Sequence, residues 1–177
     1  MPSQPVVVVD ASSFRRFNDA GLALKLEECL PGAVISPEVQ VELARAPLET
    51  CPLLRQIARS PDWPSREALN EGNRRDLLAI AKVEQNAGDH PSTHLGEISS
   101  VLLARQIRAD LLVMDDETGV KMARFRRIAY LSTADLAAGI CISGELTPHE
   151  ARAVFNASAP GCGDLEWQQA LERARAR

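Results

Sequence analysis

The sequence predicts a three-layer α/β domain, in which a central parallel sheet of four or five strands is flanked by helices and followed by a C-terminal helical extension. Short aliphatic runs alternate with stretches of helical periodicity, which is typical of a parallel sheet built through crossover helices. Two of the runs, residues 6–9 and 111–114, are apolar throughout, as strands buried on both faces are. Each of these two runs leads directly into aspartate.

Length and composition indicate one globular domain. The 177 residues are enough for a full hydrophobic core, and 45% hydrophobic and 25% charged residues are ordinary proportions. The net charge of −4 excludes an overall basic surface for nucleic acid. It does not exclude a local arginine patch, because clustered carboxylates lower the net charge of a protein that still binds phosphate locally.

The cysteines and histidines indicate neither a zinc finger nor a disulfide framework. The four cysteines form no Cys-x-x-Cys pair and have no zinc-finger spacing with His90, His94 or His149. The N-terminus lacks a secretory pattern, and no apolar run approaches the roughly 18 residues of a membrane span. We therefore expect a cytoplasmic protein with reduced thiols and no membrane association.

After the first strand the chain is predicted to form a helix and a second strand. Ser12 or Ser13 is expected to cap a helix that runs to the Leu-Pro-Gly sequence at 30–32, with Gly21 weakening its middle. A short aliphatic strand follows at 33–35. This pattern is one strand-helix-strand unit.

The next helix has a specific start signal. Ser36 suits the N-cap position, Pro37 the first helical position and Glu38 the first turn, where an acid is favoured by the helix dipole. Glu42 lies further along, at the edge of the apolar face of this helix. The elements predicted after it are helices at 48–59, 73–86 and 95–107, a short edge strand around Trp63, and a loop at 87–92.

The chain then continues with further strands and helices. The strand at 111–114 is followed by a short helix and by a strand at 128–131. The next helix is expected to begin at a cap formed by Thr133 and to end at Gly139.

The last part of the chain is predicted to be helical. Thr147-Pro148-His149-Glu150 combines capping-box spacing with proline at the first helical position, so a helix begins there. A final helix is expected from Asp164. We divide the chain into a main domain at 1–142 and a helical extension at 143–177 that packs on it.

Acidic side chains stand at the ends of the two most apolar strands. Asp10 follows the first strand, and Asp115 and Asp116 follow the strand at 111–114. Ligands of open α/β sheets bind beyond the carboxyl ends of the strands. If the two strands are neighbours in the sheet, these three acids lie at one edge. A lone acid at a strand end, by contrast, is more often a helix cap or a solvated turn residue.

Two further acids are candidates for the same site. Glu97 lies in the first turn of the helix at 95–107, next to Gly96, which leaves space beside it, and Glu42 lies on the helix after the second strand. Carboxylates placed close together repel one another, so one of them takes a raised pKa unless a cation neutralises them. Mg²⁺ or Mn²⁺ is the natural cation, because these ions take oxygen ligands and keep places for waters and substrate phosphates.

The four acidic segments, taken in order, resemble those of the PIN-domain family, and most closely its toxin-type (VapC-like) members from bacteria and archaea. They extend over roughly the first 140 residues, and their order, spacing and context together are more specific than any single one. The matching segments are Val-Val-Val-Asp10-Ala-Ser12, Ile35-Ser-Pro-Glu-Val-Gln-Val-Glu42-Leu, Leu95-Gly96-Glu97 and Leu112-Val-Met-Asp115-Asp116.

The resemblance implies an Mg²⁺- or Mn²⁺-dependent endoribonuclease that hydrolyses RNA phosphodiester bonds as the toxin of a toxin–antitoxin pair. It also implies a homodimer, and an antitoxin segment that covers the active-site groove. Ser12 is implied to support Asp10 or a metal-bound water. The implied catalytic residues are Asp10, Glu42, Glu97, Asp115 and Asp116. All of them except Glu42 are also implied to bind the metal.

The segment after the aspartate pair departs from the family pattern. Relatives often carry an arginine a few residues later, whereas here Lys121 or Arg124 would have to bind the substrate. Relatives also often have Gly-Thr after the last strand, where this chain has Ser132-Thr133. The prediction for substrate positioning therefore depends on fewer matching residues than the prediction for the acidic site.

Other residues and other functions remain as alternatives. Arg15 and Arg16 are a second candidate for phosphate contacts, and His94 is the histidine nearest to the acids but is not favoured as a ligand. A non-catalytic PIN-like RNA-binding or scaffold protein is a second hypothesis, although a complete acidic set argues against it. A phosphotransfer domain is a third. Haloacid-dehalogenase-like phosphatases need a second Asp where this chain has Ser12, and receivers need their acidic pair after the first strand.

Overall fold

The computed structural model describes residues 4–84 and 94–176. Its strands form one sheet in the order β3-β2-β1-β4-β5, and every pairing between neighbours is parallel. This confirms the predicted α/β class, with a five-stranded parallel sheet flanked by helices. The strands are β1 (Val7–Val9), β2 (Ala33–Ile35), β3 (Ser65–Arg66), β4 (Leu111–Val113) and β5 (Tyr130–Leu131).

Helices cover both faces of the sheet. Within the described ranges, none of them is both long and apolar enough to cross a membrane. The predicted loop at 87–92 lies outside the described residues. The helices are α1 (Ala11–Asp19), α2 (Lys25–Cys29), α3 (Pro37–Ala44), α4 (Pro52–Arg59), α5 (Glu71–Glu84), α6 (Leu95–Gln106), α7 (Glu117–Phe125), α8 (Thr133–Ser143), α9 (Pro148–Ser158) and α10 (Asp164–Arg175).

The side chains of β1 alternate between two hydrophobic layers. Val7 and Val9 join the layer that contains Phe14, whereas Val8 joins the layer that contains Leu112. All three valines are buried, which accounts for the continuous apolar run in the sequence. The central strand β1 therefore lies in the interior. The residue after it, Asp10, lies where the carboxyl ends of the parallel strands meet.

The first predicted helix is wrong in two respects, because the chain forms two helices where one was expected and its cap is neither Ser12 nor Ser13. Gly21 has φ +73°, a left-handed conformation that ends regular helix, and α2 begins only at Lys25. The cap of α1 is Asp10, whose side chain accepts a hydrogen bond from the backbone N–H of Ser12, so Ser12 is inside the helix. Gly21 therefore separates α1 from α2 and does more than weaken one helix.

The predicted cap and end of α8 are also wrong. Ser132 is the N-cap, with its side chain accepting a hydrogen bond from the Asp135 N–H, and Thr133 is the first helical residue. The helix passes through Gly139 and ends at Gly144, which has φ +86°. An interior glycine costs about 1 kcal/mol, and buried side chains on both sides of Gly139 keep the helix in place.

The C-terminal helices pack on the rest of the chain. Helix α9 contacts α8 and α1, and α10 contacts α8. The rings of Phe155 and Trp167 meet edge to face with centroids 5.2 Å apart, inside the layer that also holds Phe14. The predicted capping box of α9 is present, with Thr147 and Glu150 bonded reciprocally. All four cysteines are free thiols.

Candidate active site

The topology places the two acid-tipped strands side by side. Val9 of β1 lies opposite Val113 of β4 in a parallel register, and the Asp10 N–H donates to the Val113 carbonyl at 3.1 Å. The segments that follow β1 and β4 therefore leave the sheet at the same edge. This is the adjacency that the shared acidic site required, and it brings Asp10 next to the Asp115-Asp116 segment.

Asp10 is a helix cap and a buried acid at once. It is 2% exposed, and its Oδ2 accepts hydrogen bonds from the Ser12 N–H at 3.2 Å and the Ser12 hydroxyl at 2.8 Å. Its Oδ1 lies 3.4 Å from the Ser100 hydroxyl, whose one hydrogen has a closer acceptor in the Gly96 carbonyl at 2.9 Å. Burial raises the pKa of Asp10, the Ser12 bonds oppose this, and the charge of Asp116 raises it further.

Gly96 allows helix α6 to approach the acids. A Cβ at this position would lie 2.7 Å from Glu42 Oε2 and 3.8 Å from Asp10 Oδ1. Both carboxylates are therefore packed against the bare backbone at the start of α6. The absence of a side chain at Gly96 is a spatial requirement of the acidic cluster.

Glu97, the residue after Gly96, lies in the same acidic cluster. Burial raises its pKa to about 7, and the nearby charges of Asp10, Asp116 and Glu42 act in the same direction. A carboxyl group with a pKa near 7 is half protonated at neutral pH in the absence of a cation. A divalent cation bound beside Glu97 would favour its charged form and so lower this pKa.

Glu42 lies between the other acids and the guanidinium group of Arg15. Its Oε1 accepts a hydrogen bond from the Arg15 guanidinium at 2.7 Å. Burial raises the pKa of Glu42, the charge of Arg15 lowers it, and the charge of Asp10 raises it. Glu42 lies on α3, which follows β2, the strand next to β1 in the sheet. The predicted start of α3, with Ser36 as the N-cap and Pro37 as the first helical residue, is confirmed.

The two adjacent aspartates have different hydrogen-bond partners, and Asp115 Oδ2 is buried without a partner among the described residues. Asp116 caps α7 through an Oδ1 bond from the Gly119 N–H at 2.9 Å, and its charge acts on both Asp10 and Glu97. Asp115 Oδ1 accepts from the Thr133 N–H at 2.7 Å. The structure therefore brings Asp116 to the cluster, while Asp115 ties the start of α8 to the end of β4.

His94 is a member of the site that was not favoured from the sequence. One nitrogen of His94, one carboxylate oxygen of Glu97 and one of Asp116 lie within 4.8 Å of one another. The only signal in the sequence was the spacing of three residues between His94 and Glu97, which places both on one side of a helix start. That spacing is common without any function, so it did not single out this histidine.

An open groove of about 930 Å³ runs beside the acids. Four acids and three arginines line it, namely Asp19, Glu38, Glu42, Glu97, Arg15, Arg16 and Arg45. Its wall is partly apolar, so it offers both cationic groups and nonpolar surface to a ligand. A phosphate bound by the arginines would lie next to the carboxylates.

Lys121 and Arg124, the predicted substrate-binding residues, are engaged elsewhere. Lys121 forms an exposed ion pair with Glu117 at 2.8 Å. Arg124 donates to the Tyr130 hydroxyl at 2.6 Å and stacks over its ring. Neither residue lines the groove of the acidic site. Arg15, Arg16 and Arg45 line the groove. The hydrogen bond with Glu117 raises the pKa of Lys121, and Lys121 also lies close enough to Asp116 for that charge to raise the pKa further.

The donor set fits a divalent cation. Several carboxylates face one another, and one oxygen of the buried Asp10 has only a weak partner among the described residues. Carboxylate oxygens suit Mg²⁺ and Mn²⁺, which keep water and substrate oxygens in their remaining positions. Glu97, Asp116 and His94 have donor atoms close enough to one another to share such an ion, and Asp10 and Glu42 lie beside them.

Comparison of the chain with family models, curated proteins and solved structures finds no match. The function is therefore inferred from the geometry of the site.

Replacing Gly96 with alanine is expected to reduce the activity of this site by about 10²-fold, because small misplacements of reacting groups have effects of that size. The new methyl group would push away the Glu42 carboxylate, which is the mobile end of a side chain, so stability should change by less than about 1 kcal/mol. Metal-dependent cleavage and thermal unfolding of the variant would measure the two effects.

Gly139→Ala is the matched control, since it adds a methyl group to a helix where nothing lies within 4 Å. It should raise stability by up to about 1 kcal/mol and leave activity unchanged. Equal activities of the two alanine variants would contradict a positional role for Gly96.

Proposed function

We propose that this chain is a divalent-metal-dependent endoribonuclease that hydrolyses RNA phosphodiester bonds. The observation that carries the proposal is the convergence of Asp10, Glu42, Glu97 and Asp116 at one edge of the parallel sheet, beside an arginine-lined groove. Buried like charges are unfavourable unless a cation or a function compensates them. The resemblance of the four acidic segments to those of PIN domains supports the same reaction.

The residues of the site divide into three roles in this reaction. Asp10, Glu97 and Asp116 hold Mg²⁺ or Mn²⁺, and Ser12 fixes the orientation of Asp10 through its hydroxyl. When bound, the ion lowers the pKa of a water and offsets the negative charge that develops on the phosphate. Glu42 is placed to accept the proton of the attacking water, because its pKa is raised by burial and it lies beside the metal-binding acids.

The arginines of the groove position the RNA backbone. Arg15, Arg16 and Arg45 line the groove, and guanidinium groups bind phosphate oxygens with directed pairs of hydrogen bonds. The water oxygen bonds to phosphorus, one P–O ester bond breaks, and the departing oxygen takes up a proton. Binding by these arginines is sequence-independent and should weaken as the salt concentration rises.

The biological setting proposed is a cytoplasmic toxin of a toxin–antitoxin pair that acts as a homodimer. The support is the resemblance to toxin-type PIN proteins and the open groove of about 930 Å³ beside the acids, whose wall is partly apolar. An antitoxin segment in this groove would cover the acids and inhibit the enzyme.

The test is cleavage of a structured RNA by the purified protein with Mg²⁺, with Mn²⁺ and with a chelator. Asp10→Asn should lower the rate by at least about 10²-fold, because it removes a charge from the metal site. Asn is as good a helix cap as Asp, so α1 should remain intact. The control is Asp62→Asn, at an exposed position away from the groove.

Metal-independent cleavage, or equal rates for Asp10→Asn and the wild type, would refute the proposed reaction. RNA that is bound but not cleaved with either metal would favour the non-catalytic RNA-binding alternative.

A further inference from the structure

His94 has a backbone conformation that needs a reason. Its φ is +66°, in the left-handed region that non-glycine residues seldom adopt. It occupies the N-cap position of α6, yet its side chain makes no capping hydrogen bond. The His94 carbonyl accepts the first bond of the helix from the Ile98 N–H at 3.1 Å, and the imidazole is left for another partner.

The imidazole of His94 lies with two carboxylates instead. The nearest donor atoms of His94, Glu97 and Asp116 lie within 4.8 Å of one another. Ligand atoms on one small ion, each at about 2.1 Å from it, lie at most about 4.2 Å apart. Small side-chain adjustments would therefore bring all three atoms onto a single ion.

Two buried atoms at this place lack adequate partners. His94 Nδ1 is buried and receives no hydrogen bond from the residues that the structure describes. Asp10, which is 2% exposed, has only the distant Ser100 hydroxyl on its Oδ1. Buried polar atoms are rarely left unsatisfied unless a ligand, an ion or a water supplies the missing partner.

The third donor is held in place by the fold. Asp116 is fixed by its cap on α7, where one oxygen accepts from the Gly119 N–H. A cap engages one carboxylate oxygen and leaves the other available. Helices α6 and α7, which pack against each other, thus deliver an imidazole and two carboxylates to one point.

We propose that His94 is a metal ligand that joins Glu97 and Asp116 beside Asp10, and that this imidazole–carboxylate site binds Mn²⁺ in preference to Mg²⁺. This inference rests on the proposed function, because that function requires a divalent ion at the site. It adds that the ion is Mn²⁺ rather than Mg²⁺. Mg²⁺ favours hard oxygen ligands and water, whereas imidazole nitrogen is a better ligand for first-row transition ions. A histidine in the first coordination shell therefore shifts selectivity toward Mn²⁺.

The direct test is pulsed electron paramagnetic resonance of Mn²⁺ bound to the wild-type protein, without RNA. We expect hyperfine coupling to an imidazole nitrogen and, in competition titrations, a Kd for Mn²⁺ at least about tenfold below that for Mg²⁺. A bound Mn²⁺ without nitrogen coupling, an absence of Mn²⁺ binding, or equal affinities for the two ions would overturn the proposal.

His94→Asn tests the residue itself, since asparagine tolerates the left-handed conformation better than most residues. The variant should lose the nitrogen coupling and at least about tenfold of its Mn²⁺ affinity, with little change for Mg²⁺. His149→Asn, at an exposed histidine on α9, should change neither. Unchanged Mn²⁺ affinity in His94→Asn would exclude His94 as a ligand.

The outcomes also separate this inference from the proposed reaction. Nitrogen-coupled Mn²⁺ in a protein that cleaves no RNA would uphold the metal site and refute the ribonuclease. RNA cleavage with Mg²⁺ and Mn²⁺ alike, in a protein whose Mn²⁺ shows no nitrogen coupling, would uphold the ribonuclease and refute the role of His94.

Discussion

Replacing Asp116 with asparagine is expected to abolish metal-dependent RNA cleavage and to weaken Mn²⁺ binding by at least about 10²-fold, whereas Asp115→Asn should retain both to within a few-fold. Asp116 faces Glu97 and His94, so its substitution removes a charge from the cluster. Asp115 instead accepts a hydrogen bond from the Thr133 N–H, and the amide oxygen of asparagine can accept it equally well.

This pair of variants is well matched, because the substitutions are identical and the residues are adjacent. Asparagine at 116 should still cap α7, so the loss of binding is not expected to come from unfolding. Calorimetric titration with Mn²⁺ and a cleavage assay would measure the two effects, and circular dichroism would check the fold. A larger loss of metal affinity in Asp115→Asn than in Asp116→Asn would show that the assignment within the pair is wrong.

Glu97→Gln is expected to stabilise the protein at pH 8 in the absence of divalent metal, by roughly 1–3 kcal/mol. Burial among other acids raises the pKa of Glu97 from its ordinary value of 4.5 to about 7. The group is partly exposed, so solvent screening keeps the effect below the full difference between the two values. Glutamine fills the same space without the charge.

The sign of the pH dependence follows from proton linkage. Because the pKa of Glu97 is higher in the folded than in the unfolded chain, the folded protein binds more protons between pH 4.5 and about 7. The stabilising contribution of the protonated group is fully present below pH 4.5 and is lost as the pH rises through about 7. The advantage of Glu97→Gln should therefore be large at pH 8 and small at pH 4.5.

Thermal unfolding with a chelator at the two pH values would measure this difference. For a chain of this size, each kcal/mol of stability shifts the Tm by about 2–4 °C. Adding Mn²⁺ at pH 8 should raise the Tm of the wild type more than that of the variant, because only the wild type has the Glu97 ligand. Glu67→Gln, at an exposed position, is the control and should follow the wild type at both pH values. A Glu97→Gln variant that is less stable than the wild type at pH 8 would contradict a Glu97 carboxylate destabilised by partial burial beside other acids.

Much of the acidic site could be predicted because its members are tied to local signals. A run of valines marks a buried central strand, and the residue after it emerges at the edge of the sheet. Ser36 and Pro37 define the start of α3 and so the position of Glu42. The order of the strands was an assumption, and the parallel pairing of β1 with β4 makes Asp10 and Asp116 neighbours.

The orientation of individual side chains could not be predicted in the same way. Asp115 and Asp116 are equivalent in sequence, and only the packing of α7 and α8 on the sheet separates their roles. Likewise, the ion pair of Lys121 with Glu117 and the bond of Arg124 to Tyr130 depend on how α7 lies on the sheet.

The sequence by itself determined the fold class, the buried strands and several helix starts, because hydrophobic periodicity and capping act over a few residues. Tertiary structure alone decided that Asp10 both caps α1 and faces the cluster, that Arg15 pairs with Glu42, and that His94 meets Glu97 and Asp116. These contacts join residues far apart in the chain, and only the packing of α1, α3, α6 and α7 around the sheet brings them within reach of one another.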